Sequence, residues 1–195
     1  MILSKRFLDA VDYAFYLHAG HKRKGTKTPY FSHLMGVSSL VLEHGGTEDE
    51  AIAALLHDAV EDQGGEDTLE AIRVLFGPKV AAIVNGCTES YTKPKSPWKK
   101  RKLDYLAHLK RTRNKSIRLV SAADKLHNAR AILADYRQLR EELWDRFNEG
   151  KDGQLWYYGK LAKTFREIDP SPLVDELARV VSELDQLVRE ADNSQ

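Results

Sequence analysis

The sequence predicts an all-α fold, one helical bundle spanning residues 1–195. Three observations lead there. Apolar residues recur at i, i+3, i+4 spacing along most of the chain. Helix start and stop signals punctuate that pattern at short intervals. No stretch shows convincing strand alternation, and no internal repeat or interdomain linker stands out. The 195 residues suffice for one domain with a sizeable core. The 42% hydrophobic and 30% charged content is globular rather than disordered.

The elements follow in order. Phe7, Val11, Ala14, Phe15 and His18 mark one face of a first helix ending near Gly20. The stretch from His21 to Tyr30 is basic and loop-like, with Gly25 and Pro29 as breakers. A second helix stops at Gly45-Gly46. Thr47, with Glu50 three residues on, reads as the capping box of a third, which carries Ala51 to Asp62. Gly64-Gly65 ends it, and Gly77-Pro78 separates two more helices. Residues 88–97 are polar and contain Pro94 and Pro97, so a loop is expected. Ser96-Pro97 reads as an N-cap with proline at the first helical position. A helix of about 15 residues is expected next. A stronger one then runs through Ile117, Val120, Ser121, Asp124, Asn128 and Ala131. Residues 138–168 predict one or two helices, with Gly150 and Gly153 at a break. Ser171-Pro172 opens a last helix, about 172–190, striped by Leu173, Leu177, Val180, Leu184, Leu187 and Val188.

Composition removes several function classes. The formal net charge is +1, which argues against nucleic acid as a bulk partner. Cys87 is the single cysteine, so neither an internal disulfide nor a cysteine-rich zinc site is available. A reducing, cytoplasmic setting is the expectation. No signal peptide is read at the N-terminus, and no apolar run approaches the roughly 20 residues of a membrane helix, so no membrane partner is expected.

Three segments could carry chemistry. In Ala53-Ala-Leu-Leu-His57-Asp58-Ala-Val-Glu61-Asp62, ionisable groups interrupt a helix that otherwise reads as core. The i, i+3 and i, i+4 spacings among His57, Asp58, Glu61 and Asp62 put them on neighbouring parts of one surface. Burying several carboxylates without a cation is costly, because desolvation and like charge both oppose ionisation. A divalent metal removes that cost. A solvated helix end would explain Glu61 and Asp62, but not His57-Asp58 directly after Ala-Leu-Leu. In Leu119-Val-Ser-Ala-Ala-Asp124-Lys-Leu-His-Asn128-Ala-Arg130, Asp124 sits in an apolar stretch with Asn128 one turn away. The alternative there is a surface pair with Lys125 or Arg130. His127 falls off that face. In Thr28-Pro-Tyr-Phe-Ser-His33, a histidine opens a helix among aromatic neighbours. Together these give two imidazoles and two carboxylates from three predicted helices. Such a mixed N/O set suits Mn²⁺, Fe²⁺ or Zn²⁺ as a reactive centre better than it suits a closed structural zinc.

His33, His57-Asp58 and Asp124, in that order on a helical chain, resemble the HD superfamily of metal phosphohydrolases. With His18-Ala-Gly-His-Lys-Arg23-Lys24-Gly, His-Asp-x-x-Glu61-Asp62 and Asp124-Lys-x-x-Asn128 included, the chain is similar to the hydrolase domain of RelA/SpoT proteins. It resembles above all their stand-alone small alarmone hydrolases of the Mesh type. The resemblance covers about residues 5–168. It implies hydrolysis of the 3′-pyrophosphate of guanosine tetra- and pentaphosphate, usually with Mn²⁺. It also implies that His33, His57, Asp58 and Asp124 hold the metal, and that Glu61 and Asp62 orient and deprotonate water. Asn128 would lie near the ribose and attacking water, Arg23 on the base, Lys24 on phosphate and, more loosely, Tyr157 against the nucleotide. An adenosine alarmone or pyrophosphorylated tRNA, in a toxin–antitoxin setting, is the alternative substrate. A nucleotide-sensing module without turnover is the non-enzymatic one.

Two features depart from the family pattern. Leu34 follows His33 where proline is common. The segment 88–102 does not align cleanly. Its Lys93, Lys95, Lys99, Lys100, Arg101 and Lys102 could meet substrate phosphates or simply face water.

Overall fold

The computed structural model describes residues 2–91, 94 and 96–193. The described residues form helices joined by short connections, with one isolated antiparallel β-bridge between Lys22 and Pro29. The all-α expectation holds. Two compact units are distinguished, residues 1–124 and 125–195.

The first unit contains α1 (Lys5–Leu17), α2 (Phe31–Glu43), α3 (Glu48–Leu56), α4 (Ala59–Gln63), α5 (Glu66–Cys87), α6 (Trp98–Arg111) and the start of α7 (Lys115–Leu139). Its centre is α3. Six consecutive residues, Ala51 to Leu56, are buried. A helix apolar on every side must be surrounded, and α1, α2 and α5 all pack on it. The predicted Thr47–Glu50 capping box starts it. Thr47 Oγ1 accepts from the Glu50 N–H, and Glu50 Oε2 accepts from the Thr47 N–H at 2.6 Å. Arg6 of α1 pairs with Asp49 and Glu48, fastening α1 to the same helix start.

Several boundaries differ from the sequence expectation. The helix read as continuous from Ala51 to Asp62 is interrupted at His57-Asp58, and α4 begins only at Ala59. The Ala54 carbonyl is the acceptor an unbroken helix would offer the Asp58 N–H. It instead receives a ring N–H from His57 at 2.8 Å. Phe15 is 58% exposed, so the buried face of α1 runs through Ala10, Ala14 and His18. Phe15 still meets Phe31 edge to face, with centroids 5.4 Å apart. Pro97 is the N-cap of α6, with ψ 138°, rather than its first helical residue. The 21–30 stretch is an ordered hairpin. Arg23 N–H donates to Thr28 O at 2.9 Å, and Tyr30 N–H to His21 O at 2.8 Å.

Two glycines make turns that other residues would resist. Gly65, at φ 61° and ψ −129°, lets the chain leave α4 and enter α5. Gly77, at φ 89° and ψ 165°, kinks α5 ahead of Pro78, so the expected pair of helices is present as two halves.

The second unit holds the rest of α7, a 3₁₀ turn (Arg140–Arg146), α8 (Gly150–Ile168) and α9 (Pro172–Asp192). Ser171 caps α9 as predicted, accepting from the Val174 N–H, with Pro172 in the first turn. Leu173, Leu177, Leu184 and Val188 of the predicted stripe are buried, while Val180 and Leu187 lie at its edge. Among the described residues, no helix is long and apolar enough to cross a membrane.

In the first unit α5 and α7 approach closely at Gly86. A Cβ there would stand 2.2 Å from Ile117 Cδ1 and 2.7 Å from its Cγ1. Ile117 is buried and stiff at χ1, so it cannot swing aside. Gly86→Ala is therefore expected to lower stability by about 1–3 kcal/mol despite alanine's better helix propensity. Urea unfolding measures this. Combined with Ile117→Ala, the two losses should fall short of their sum.

Candidate active site

Three helix ends bring the site together. His33 lies in the first turn of α2, following Tyr30, whose carbonyl accepts the His33 N–H at 2.9 Å. His57 and Asp58 occupy the break between α3 and α4. Asp124 comes from the middle of α7 and is the last residue of the first unit. His33, His57 and Asp124 are buried, and Asp58 is partly exposed.

The ligand atoms converge. His33 Nε2 lies 3.3 Å from Asp124 Oδ1 and 3.9 Å from Asp58 Oδ2. His57 Nε2 lies 3.0 Å from Asp58 Oδ2 and 3.6 Å from Asp124 Oδ1. The surface alternative for Asp124 is set aside by these contacts. Arg130 pairs instead with Glu176, within the second unit.

Whether this set fits a metal is decided at His57. Its Nδ1 faces the Ala54 carbonyl, which can only accept, so Nδ1 carries the hydrogen. In the neutral ring that leaves Nε2 as a bare lone pair. It is buried, and its 3.0 Å approach to Asp58 Oδ2 lacks hydrogen-bond geometry. Two acceptors at that distance repel unless a cation stands between them. A proton on Nε2 is one such cation. Burial would push the His57 imidazole down, but Asp58 and Asp124 overcome it and hold its pKa well above the ordinary histidine range. Burial would likewise raise Asp58, and the His57 charge reverses this and keeps it low. A divalent ion is the better cation, because it also uses the His33 nitrogen, which burial keeps neutral. His33, His57 and Asp58 have ligand atoms within 4.8 Å of one another. The donor set fits a divalent metal.

Glu61 and Asp62 follow on α4, directly after this cluster. Asp62 N–H donates to Asp58 O at 3.0 Å, the opening hydrogen bond of α4. Glu61 is half-buried, and its Oε2 accepts the backbone N–H of Glu89 at 3.2 Å. Both Glu89 carboxylate oxygens in turn accept from Lys102 Nζ at 2.7 Å. Lys102 thus braces a catalytic candidate. Lys100 pairs with Asp104, and Arg101 donates to the Ser96 carbonyl. Lys93 and Lys95 lie outside the described residues.

Arg23 and Lys24 sit at the turn of the 21–30 hairpin, Arg23 partly covered and Lys24 exposed. Asn128, half-buried, and Tyr157, buried, belong to the second unit, and their roles rest on sequence pattern. Sequence reasoning assigned no role to three residues around the site, Tyr30, His18 and Glu89, and left Lys102 to substrate phosphates or to water. Tyr30 donates to Asp58 Oδ2. His18 stacks on Tyr30 with centroids 5.3 Å apart. An aromatic three residues before a ligand histidine was the available signal for Tyr30. Glu89 and Lys102 meet only through tertiary contact and leave no local trace.

The comparisons with known proteins agree with this geometry. The sequence matches the HD domain over residues 10–148. The chain belongs to the HD-domain family. The guanosine-3′,5′-bis(diphosphate) 3′-pyrophosphohydrolase MESH1 of Xenopus tropicalis is 36% identical over 140 residues, 70% of this chain and 73% of the relative. The Homo sapiens MESH1 is 34% identical over 130 residues, 65% and 69% of the two chains. Among solved structures, a metazoan ortholog of SpoT superposes with a TM-score of 0.76 at 24% identity, covering 94% of this chain and 97% of the other. A Listeria monocytogenes EGD-e protein superposes at 0.67 with 29% identity, covering 80% and 99%. The HD-type core is shared in fold as well as in sequence.

Two outcomes follow. A divalent metal ion at a hundredfold excess over its Kd should stabilise the protein by about 2.7 kcal/mol, raising Tm by roughly 5–10 °C over an EDTA-treated sample. In Asp124→Ala that rise should vanish, and differential scanning fluorimetry reads both. The second concerns His18, 2% exposed with neither ring nitrogen hydrogen-bonded. Burial lowers its pKa to about 4, so it stays neutral in the fold while the unfolded chain protonates it below the ordinary histidine value of 6.5. Its contribution is therefore present above that value and lost as pH falls from 6.5 towards about 4. His18→Phe should flatten the Tm-against-pH curve in that window relative to wild type.

Proposed function

We propose that this chain is a Mn²⁺-dependent pyrophosphohydrolase that converts guanosine 3′,5′-bis(diphosphate) to GDP and pyrophosphate, and the pentaphosphate to GTP and pyrophosphate, in the cytoplasm. The carrying observation is the convergence of His33, His57, Asp58 and Asp124, with Glu61 and Asp62 directly behind them. The relatives named above, whose own names state this activity, support the choice of substrate.

His33, His57, Asp58 and Asp124 would hold the ion. When bound, it polarises a phosphoryl oxygen and lowers the pKa of bound water. The remaining work belongs to the chain's own side chains. Glu61 or Asp62 takes the proton from the attacking water. The water oxygen adds to the 3′-side phosphorus, and the bond from that phosphorus to the ribose 3′ oxygen breaks. Pyrophosphate leaves, and the 3′ oxygen gains a proton. Glu61 is held for this by the Glu89 N–H, itself anchored through Lys102. Arg23 lays a planar guanidinium on the base, and Lys24 places an ammonium against phosphate. Asn128 contacts the ribose and Tyr157 covers the nucleotide.

Purified protein with Mn²⁺ should release pyrophosphate and GDP in equal amounts from guanosine tetraphosphate. Asp58→Ala should reduce turnover to background, and Glu61→Gln should lower kcat by about a hundredfold or more while Mn²⁺ still raises Tm. Coupled pyrophosphate detection and nucleotide chromatography measure this. Silence on guanosine tetra- and pentaphosphate, with activity on an adenosine alarmone or another phosphoester, would overturn the substrate and leave the metal site standing.

A further inference from the structure

Tyr30 is the N-cap of α2, three residues before His33, and its ring lies between two histidines. His18 stacks on it at a 27° interplanar angle, and His33 meets it edge-on with centroids 5.5 Å apart. The phenol hydroxyl reaches Asp58 Oδ2, the same oxygen that approaches both ligand imidazoles. A carboxylate oxygen has two lone pairs. With one occupied by the Tyr30 O–H, the other is left for a ligand on the imidazole side.

Asp58 needs such a restraint more than the other ligands do. His57 is fixed by its bond to Ala54 O, and His33 and Asp124 are buried. Asp58 sits at a helix break, partly exposed, and as N-cap of α4 its side chain makes no cap bond. Without an external donor its carboxylate could rotate towards water or the first turn of α4.

We propose that Tyr30 is a positioning residue for the metal centre: its hydroxyl fixes the rotamer of Asp58 so that Oδ2 faces His33 and His57, with His18 as the wall that holds the phenol ring. This rests on the ligand set given under Proposed function and is independent of the substrate named there. Tyr30 touches neither the nucleotide nor the attacking water in this role. It acts through Asp58.

Tyr30→Phe keeps the ring and removes the hydroxyl, so the packing on His18 and His33 survives. Tyr30→Leu removes both. Calorimetric titration with Mn²⁺ is the test, alongside the visible spectrum of the Co²⁺-loaded protein. Tyr30→Phe should weaken Mn²⁺ binding by about 10–100-fold and shift the Co²⁺ bands. Saturating Mn²⁺ should restore most of kcat, with KM for the nucleotide unchanged. Tyr30→Leu should weaken binding to a similar degree. If Tyr30→Phe binds Mn²⁺ within twofold of wild type with unchanged Co²⁺ bands, or if only Tyr30→Leu weakens it, the hydroxyl holds nothing and the proposal falls. Failure of the metal-site reading looks different: wild type itself would take up no divalent ion. A wild type that binds Mn²⁺ but spares guanosine tetraphosphate leaves the role of Tyr30 intact.

Discussion

With the His57 ring neutral, two lone pairs face each other at 3.0 Å in the wall of a helical core, one on His57 Nε2 and one on Asp58 Oδ2, with a second carboxylate and a second imidazole closing the ring. Such an arrangement is repulsive until a cation enters it. Protons answer partially, by charging His57, and they leave the other groups mismatched. An ion with two positive charges answers completely. The architecture around the site is organised to hold these four groups in place. α3 is buried on every side, so its C-terminal end is a rigid support, and the helix breaks where His57 diverts the Ala54 carbonyl. α2 starts and α7 passes where the remaining two ligands are needed.

Each functional side chain has its own brace, and the braces differ in kind. His57 is fixed by a backbone carbonyl, and the choice of acceptor dictates its tautomer. Asp58 is met by a phenol, which burial and the neighbouring carboxylate keep protonated and therefore able to donate. Glu61 is met by a backbone N–H whose own residue is chelated by Lys102. None of these partners need contact the substrate. They convert flexible carboxylates into groups with a single working direction, which is the larger part of what preorganisation means for a hydrolytic site.

The sequence was informative wherever structure is decided within a few residues. The Thr47–Glu50 box, the Ser171-Pro172 start and the Gly77-Pro78 kink are local geometries, and each stands where the spacing put it. The convergence of the four candidate ligands was legible because ionisable groups inside apolar runs need partners, and the three runs could satisfy one another. Errors came where tertiary contacts override local preference. Phe15 fits the apolar stripe of α1 yet packs sideways on Phe31 and stays largely exposed. Ser96-Pro97 has the composition of a cap, but the extended ψ of Pro97 leaves it outside the helix. The run from Ala51 to Asp62 keeps helical periodicity through His57-Asp58, so spacing could not reveal a break made by a side chain. The basic segment offered its cations to substrate phosphates or to water, whereas Lys100 and Lys102 are taken up by Asp104 and Glu89.

The 21–30 hairpin ties recognition to chemistry. Arg23 and Lys24 lie at its turn, and Tyr30 closes its base, with the Lys22–Pro29 bridge and the Tyr30–His21 backbone bond holding the two strands together. At its base the hairpin reaches Asp58 through the Tyr30 hydroxyl and the buried His18 ring through the Tyr30 face. Its turn offers cationic groups to an anionic ligand. Ten residues therefore carry both the pair proposed to face the nucleotide and the hydroxyl proposed to restrain Asp58, linked by backbone hydrogen bonds. Loops serve function well when a rigid scaffold positions them, and here the loop also helps to position the scaffold's own reactive group.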